Sequence, residues 1–174
     1  MRHESKPSQF TWECLGNIDE GRKNLGSDVP VLIYRLLQYT LKDILAREYD
    51  EETASLLYRA AGHLAGKELA KNVLDLSGDF DFFIANLTNK LMELKIGILR
   101  MERVDMDSLS FTLTVSEDLD CSGLPISGKT VCDYDEGFIA GILEVYSGCQ
   151  FRVKEIDCWS TGDRTCRFAA ESLE

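Results

Sequence analysis

Nowhere does this sequence run to eighteen consecutive apolar residues, so no segment reads as a membrane-spanning helix. Its first residues, MRHESKPSQFTWECLG, hold no apolar run of signal-peptide length, and a cytoplasmic protein is expected. Basic charge is scarce too: 19 Lys and Arg stand against 30 Asp and Glu, a formal charge of −11. Such a field repels phosphate backbones and anionic lipid, so neither nucleic acid nor membrane is expected as a partner. There is no GxGxxG after a strand, no P-loop, and no Ser or Cys nucleophile with an identifiable base. Of the two histidines, His3 falls in the N-terminal arm, and His63 reads as a satisfied core or pocket-wall residue on the apolar side of a helix. No catalytic mechanism is legible, and the expectation is a binding protein rather than an enzyme.

What the chain does have is cysteine, unevenly placed: Cys14 alone, then Cys121, Cys132, Cys149, Cys158 and Cys166 in the last third. Length bounds the rest. At 174 residues one domain is expected, large enough to bury a core without staples. Residues 1–28 are polar, without sustained period, and read as an arm; residues 29–174 read as a single domain. VLIYRLLQYTLKDILAREY places Leu32, Leu36, Tyr39 and Leu41 or Ile44 at helical spacing behind the capping candidates Ser27 and Asp28 and a Pro at position 30. A second helix, ETASLLYRAAGHLAGKELAKNVL, sets Leu56, Leu57, Ala60, His63, Leu64 and Leu74 beside Gly62 and Gly66. Each interior glycine costs about 1 kcal/mol against alanine, so another backbone is expected to approach closely there. A third helix carries Phe83, Leu87, Leu91 and Leu94 on one stripe.

The period then falls to two. ILRMERVD and SLSFTLTVSE alternate as a half-buried hairpin turning around residues 105–108, with Leu109, Phe111, Leu113 and Val115 on one face. A Gly/Pro/Ser loop, CSGLPISGKTVC, leads to the short helix DYDEGFIAGILEVYSG, stopped by Gly148. Two strands close the chain, QFRVKEIDC and TCRFAAE, around the turn WSTGDR. The order α, α, α, β, β, α, β, β predicts an α+β domain, an antiparallel sheet covered by helices.

In EIDCWSTGDRTCRF, Cys158 and Cys166 sit symmetrically on the arms of a Gly-Asp turn. In a reducing compartment such a pair reads as a metal clamp, with two buried packing cysteines as the plain alternative. Cys132 precedes a helix start, where the dipole and free amides favour thiolate and hence metal ligation. Glu155 lies three residues before Cys158, which in a regular strand puts the two side chains on opposite faces, so a shared site requires a bulge or bend.

The run VCDYDEGFIAGIL followed by KEIDCWSTGDRTCRF resembles the closing motif of the 4-vinyl reductase domain family: a Cys before a Gly-rich helix, Glu-x-x-Cys, Gly-Asp, then Cys-x-Phe. LLYRAAGHLAGKELA is similar to the family's Gly-containing helix and extends the match over most of the chain after residue 28. The resemblance is to a stand-alone prokaryotic member. It implies the ligand-binding fold of haem nitric-oxide sensors and Golgi-tethering (TRAPP) subunits. It also implies a zinc ion held, as in the aromatic-sensing regulators, by three cysteines and a glutamate, here Cys132, Glu155, Cys158 and Cys166. Cys121 also occurs in stand-alone relatives; it reads as a loop thiol that could approach the metal or the pocket, while Cys14 and Cys149 read as packing residues.

The function implied is a small-molecule sensor or carrier for a hydrophobic or aromatic ligand, with a part in tetrapyrrole vinyl-group metabolism as the alternative and a tethering subunit as a third class. Phe83, Phe111, Phe138 and Trp159, with Leu87, Leu109 and Leu113, are candidates to line its apolar pocket, although each also reads as plain core. The phenol-sensing members orient a ligand hydroxyl with a His and a Trp; here Trp12 lies in the arm and Trp159 in the metal turn, so that pair does not carry over. A homodimer is expected, on the grounds that the Gly62–Gly66 helix and the arm are surfaces needing a partner, while the same glycines could instead face the chain's own sheet.

Overall fold

The computed structural model describes residues 8–173; His3 lies outside them. Residues 8–28 carry a 3-10 turn, Trp12–Leu15, and the one-turn helix α1, Ile18–Gly21, and are largely exposed. The domain follows as α2 Val31–Glu48, α3 Glu51–Val73, α4 Phe80–Glu93, β1 Ile98–Asp105, β2 Ser110–Ser116, α5 Asp133–Ser147, β3 Phe151–Asp157 and β4 Cys166–Ser172. This is an α+β fold with one antiparallel sheet in the order β1-β2-β4-β3. The caps are conventional: the Asp50 and Asp79 carboxylates accept from the amides of Thr53 and Phe82, and Gly148 ends α5 at φ 79°. Among the described residues, no helix is long and apolar enough to cross a membrane.

Alternation decides which sheet face is dry. Phe111, Leu113 and Val115 of β2, Cys166, Phe168 and Ala170 of β4, and Phe151, Val153 and Glu155 of β3 are all buried. Against this face lie α4, through Phe83, Leu87 and Leu91, and α5, through Phe138, Ile139, Ile142 and Leu143. Leu94, at the C-cap of α4, is turned out to solvent.

The two glycine pairs bring α3 and α5 together. A Cβ on Gly62 would stand 2.0 Å from the Tyr134 carbonyl oxygen and one on Gly66 2.1 Å from that of Phe138. Reciprocally, a Cβ on Gly137 would be 2.0 Å from the Arg59 oxygen and one on Gly141 2.2 Å from that of His63. Four missing side chains therefore permit a backbone-to-backbone crossing, and the glycines of α3 are satisfied within the chain, by a helix rather than the sheet. They give no support to a homodimer. The crossing is edged with charge: Arg59 pairs with both Asp133 and Glu136, and His63 and Lys67 reach Glu144, so His63 is a half-exposed partner of a carboxylate rather than a core residue.

The faces of α2 and α3 also differ from the periodic reading. Leu32, Leu36, Leu41 and Ile44, like Leu56 and Leu57 on α3, are exposed, and α2 buries no residue fully. The inward side of α2 is polar. Tyr34 and Gln38 donate to the Asp120 carboxylate at 2.7 and 2.8 Å, Tyr39 to the Asp120 carbonyl at 3.0 Å, and Arg35 to the carbonyls of Leu119, Asp118 and Ser122. Buried polar groups on the 118–122 loop demand these donors, and that demand outweighs the tendency of the leucines to turn inward.

Candidate metal centre and interior cavity

Four thiols converge where the 118–122 loop, the start of α5 and the β3–β4 turn meet. Cys132 is the N-cap of α5, Cys158 follows β3, Cys166 opens β4 opposite Val115, and Cys121 follows β2. All four are buried, and their sulfurs lie within 4.8 Å of one another. Cys132 Sγ is 3.9 Å from that of Cys158 and 3.8 Å from that of Cys166; Cys121 Sγ is 3.0 Å from Cys166 Sγ. A zinc tetrahedron with bonds of about 2.3 Å separates its sulfurs by about 3.8 Å, so two edges already have that length. The third is short of it, yet well beyond a disulfide bond of about 2.05 Å.

Of the residues carried over from the family motif, three thus meet, and Cys121 joins them. The register shift between Glu155 and Asp157 on β3 supplies the bend that spacing required. Even so, Glu155 is outside the sulfur cluster. Its Oε2 accepts from the Cys132 amide at 3.1 Å, and its Oε1 is buried without a hydrogen-bond partner among the described residues. Burial pushes this carboxyl up to about 8. Glu155 borders the thiols and steadies the backbone of one of them. Hydrogen bonds with Cys121, then Cys132 and Cys166, lower the Cys158 thiol, whereas those with Cys121, Cys158 and Cys166 raise that of Cys132. A divalent cation would resolve the competition, because thiolate is the ligating form.

The frame is held independently of the sulfurs. Glu136, buried in the first turn of α5, takes Arg59 from α3 and Lys154 from β3 and accepts from the Glu155 amide at 2.9 Å. Asp118 Oδ1 accepts from the amides of Asp120 and Cys121 at 2.8 and 3.0 Å, folding the loop that delivers Cys121.

Beside the thiols, between α4, α5 and the sheet, lies a cavity of about 30 Å³. Its walls are apolar, including Leu87, Leu91, Leu113, Phe138 and Ile142, except at one end, where Asp118 and Asp135 face it. Phe138 and, among the aliphatic candidates, Leu87 and Leu113 line it. Phe83 and Phe111 instead belong to an aromatic stack with Tyr146 and Phe80, at centroid distances of 4.0 and 5.0 Å. Leu109 is partly buried against the core at the start of β2, and Trp159 lies in the β3–β4 turn, donating its ring N–H to the Leu124 carbonyl at 3.1 Å. Burial, then the neighbouring Asp120, pushes Asp118 up to about 6; burial, then Asp118, pushes Asp135 well above the carboxylate range.

Sequence reasoning did not find Asp118, Asp120 and Asp135. Their trace is indirect: the polar side of α2, Tyr34, Arg35, Gln38 and Tyr39, implies buried acceptors opposite.

Comparison with known proteins agrees with this architecture. The family model of the 4-vinyl reductase domain matches residues 111–172. The protein MJ1642 of Methanocaldococcus jannaschii is 31% identical over 152 residues, covering 87% of this chain and 83% of that one. Among solved structures, a vinyl-4-reductase family protein from the same organism superposes with a TM-score of 0.61 at 19% identity, covering 97% of this chain and 100% of its own. The phenol-responsive sensory domain of the transcription activator PoxR, solved with phenol, gives 0.60 at 19%, over 77% and 72%. A trafficking protein particle complex subunit 3 from Naegleria fowleri, covalently bound to palmitic acid, gives 0.66 at 13%, over 83% and 95%. An H-NOX protein from S. oneidensis gives 0.52 at 15%, over 79% and 74%. The shared fold, the closing Cys-helix-Glu-x-x-Cys-turn-Cys motif and the sequence relative together establish that this chain belongs to the 4-vinyl reductase domain family.

Proposed function

We propose that this protein is a zinc-containing small-molecule-binding module, a sensor or carrier for a hydrophobic ligand, working as a homodimer in the reducing cytoplasm. The observation that carries the metal is the set of four buried sulfurs within 4.8 Å of one another. Cys121, Cys132, Cys158 and Cys166 would complete a tetrahedral shell, leaving Glu155 beside it; a filled shell is structural and offers no open position for Lewis-acid chemistry. Ligand binding is supported by the apolar cavity and by the fold shared with a domain solved with phenol and a subunit covalently bound to palmitic acid. At about 30 Å³ the cavity holds little more than a water as it stands, so a ligand enters by parting α4 from the sheet. That wall meets the sheet through apolar side chains, Leu87 and Leu91, and its movement separates oily surfaces without breaking a strand ladder. Nothing in a cavity of this size favours a tetrapyrrole.

The dimer reading rests on α2. Leu32, Ile33, Leu36, Leu37, Leu41 and Ile44 are exposed along a helix about 27 Å long, an apolar surface of the kind that monomers rarely leave open. A second copy offers the same stripe, which suits a twofold contact.

Elemental analysis of protein purified without added metal tests the centre. About one zinc per chain is expected, retained by Glu155→Gln and lost from Cys121→Ser. Full zinc in Cys121→Ser with loss from Glu155→Gln would return the fourth ligand to the glutamate; less than half occupancy of any transition metal in the unaltered protein would overturn the zinc reading.

A further inference from the structure

The apolar cavity ends on acid. Asp135 lines it, is 9% exposed, and has its Oδ2 buried with no hydrogen-bond partner among the described residues. Asp118 lines the same end, and Asp120, behind it, is 2% exposed. Each of the other two carboxylates is engaged: Asp120 takes the Tyr34 hydroxyl and the Gln38 amide, and Asp118 takes two backbone amides. Asp135 is left with an acceptor that a buried carboxyl ordinarily does not leave unused. The neighbouring cation, Arg35, directs its donors to the main-chain carbonyls of Asp118, Leu119 and Ser122 rather than to these side chains. Toward the same spot face Tyr34 from α2, Cys132 at the start of α5, whose sulfur lies within 4.8 Å of both Asp118 and Asp135, Glu155 from β3 and Cys166 from β4, none of them basic.

We propose that the ligand of this cavity is an apolar amine, whose hydrocarbon part lies among Leu87, Leu91, Leu113, Phe138 and Ile142 and whose protonated nitrogen donates to Asp135 Oδ2 beside Asp118. The inference rests on the small-molecule-binding reading and names the ligand's polar end. An ammonium supplies what the site lacks in two respects, a donor for the orphaned oxygen and a positive charge among three carboxyl groups. The tetrathiolate zinc proposed next to it would carry net negative charge and strengthen the preference. A carboxylate-headed ligand, such as a fatty acid, would bring a negative charge into a poorly screened interior that holds no cation for it, and no donor for the orphaned oxygen, and is rejected. A hydroxyl head satisfies the acceptor without the charge and binds between the two.

The test uses three probes with one tail: n-hexylamine, n-hexanol and hexanoic acid, each titrated calorimetrically into the zinc-loaded full chain at neutral pH. Hexylamine should bind tightest, by about tenfold or more over hexanoate, the scale of one charge-assisted hydrogen bond. Asp135→Asn should level the series while hexanol binding changes little. Hexanoate or hexanol binding as tightly as hexylamine, or a preference unchanged in Asp135→Asn, overturns the amine assignment and leaves the binding-module reading standing. Saturable binding of none of the three overturns both. Should Asp135→Asn fail to fold, the ranking on the unaltered protein decides by itself.

Discussion

Replacing Gly66 by alanine should destabilise this protein, although in an ordinary helix interior the same change stabilises by about 1 kcal/mol. The added methyl would meet the Phe138 carbonyl oxygen at 2.1 Å, and that oxygen belongs to a backbone that cannot rotate aside. Restoring van der Waals distance requires α3 and α5 to part by roughly 1 Å, which forfeits dispersion along the whole crossing, where Gly62, Gly137 and Gly141 are equally tight. Overpacking costs about 1–3 kcal/mol, and against a fixed backbone carbonyl the upper part of that range, about 2–3 kcal/mol, applies. After the propensity gain, a net loss of about 1–2 kcal/mol remains, which for a chain of this length lowers Tm by about 2–8 °C. Thermal melts by circular dichroism with matched urea titrations would measure it. Gly21→Ala is the control, since its Cβ would meet nothing within 4 Å and its φ is not positive; it should be neutral or slightly stabilising. A Gly66→Ala protein that melts at or above the unaltered temperature would refute the close-crossing argument. Because Cys132 caps the displaced helix, metal content should fall together with stability.

Three further outcomes are expected. Cys166→Ser should lower Tm by several degrees and expose the β3–β4 hairpin to limited proteolysis, because the proposed ion would join a loop, a helix start and a hairpin that loop entropy otherwise keeps apart; unchanged protease resistance would overturn the proposal of a structural metal. Glu136→Ala removes the acceptor of the buried Glu155 amide and one partner each of the partly exposed Arg59 and Lys154, Arg59 keeping Asp133, so a loss of about 1–3 kcal/mol in urea denaturation is expected. Leu36→Asp with Leu37→Asp on the exposed stripe of α2 should shift light-scattering mass from dimer to monomer with little change in helix content; a monomeric unaltered protein at micromolar concentration removes the dimer.

The element order, the α+β class and the terminal hairpin were legible because local signals agreed with one another: alternation in β2, Gly148 after α5, and the Gly-Asp turn between β3 and β4. So was the close approach at Gly62 and Gly66, since glycine inside a helix asks for a reason; only its partner, α5, needed three dimensions. What failed was the inward face of α2. Helical spacing reports that apolar residues share a side, and says nothing about which surface that side meets. Here the loop at residues 118–122 holds buried carboxyl and carbonyl groups, and each must find a donor.

The same loop explains why the fourth thiol of the cluster was not legible. Cys121 is distant in sequence from the turn bearing Cys158 and Cys166, and a Gly/Pro/Ser stretch follows it, so spacing marks it as a loop thiol. Its position is fixed by contacts that spacing does not register: Asp118 ties its amide, Tyr39 and Arg35 hold the carbonyls around it, and Val115 leads β2 to pair with Cys166 itself. Thiol cluster, acidic cavity end and α2 are therefore one unit. A helix that turns polar groups inward to hold the Asp120 carboxylate and the carbonyls around Cys121 must turn its leucines outward, and an outward row of leucines is the surface on which a second copy would lie. The ligand's polar end at Asp135 and the contact between subunits would then lie on opposite sides of α2 and the loop it holds.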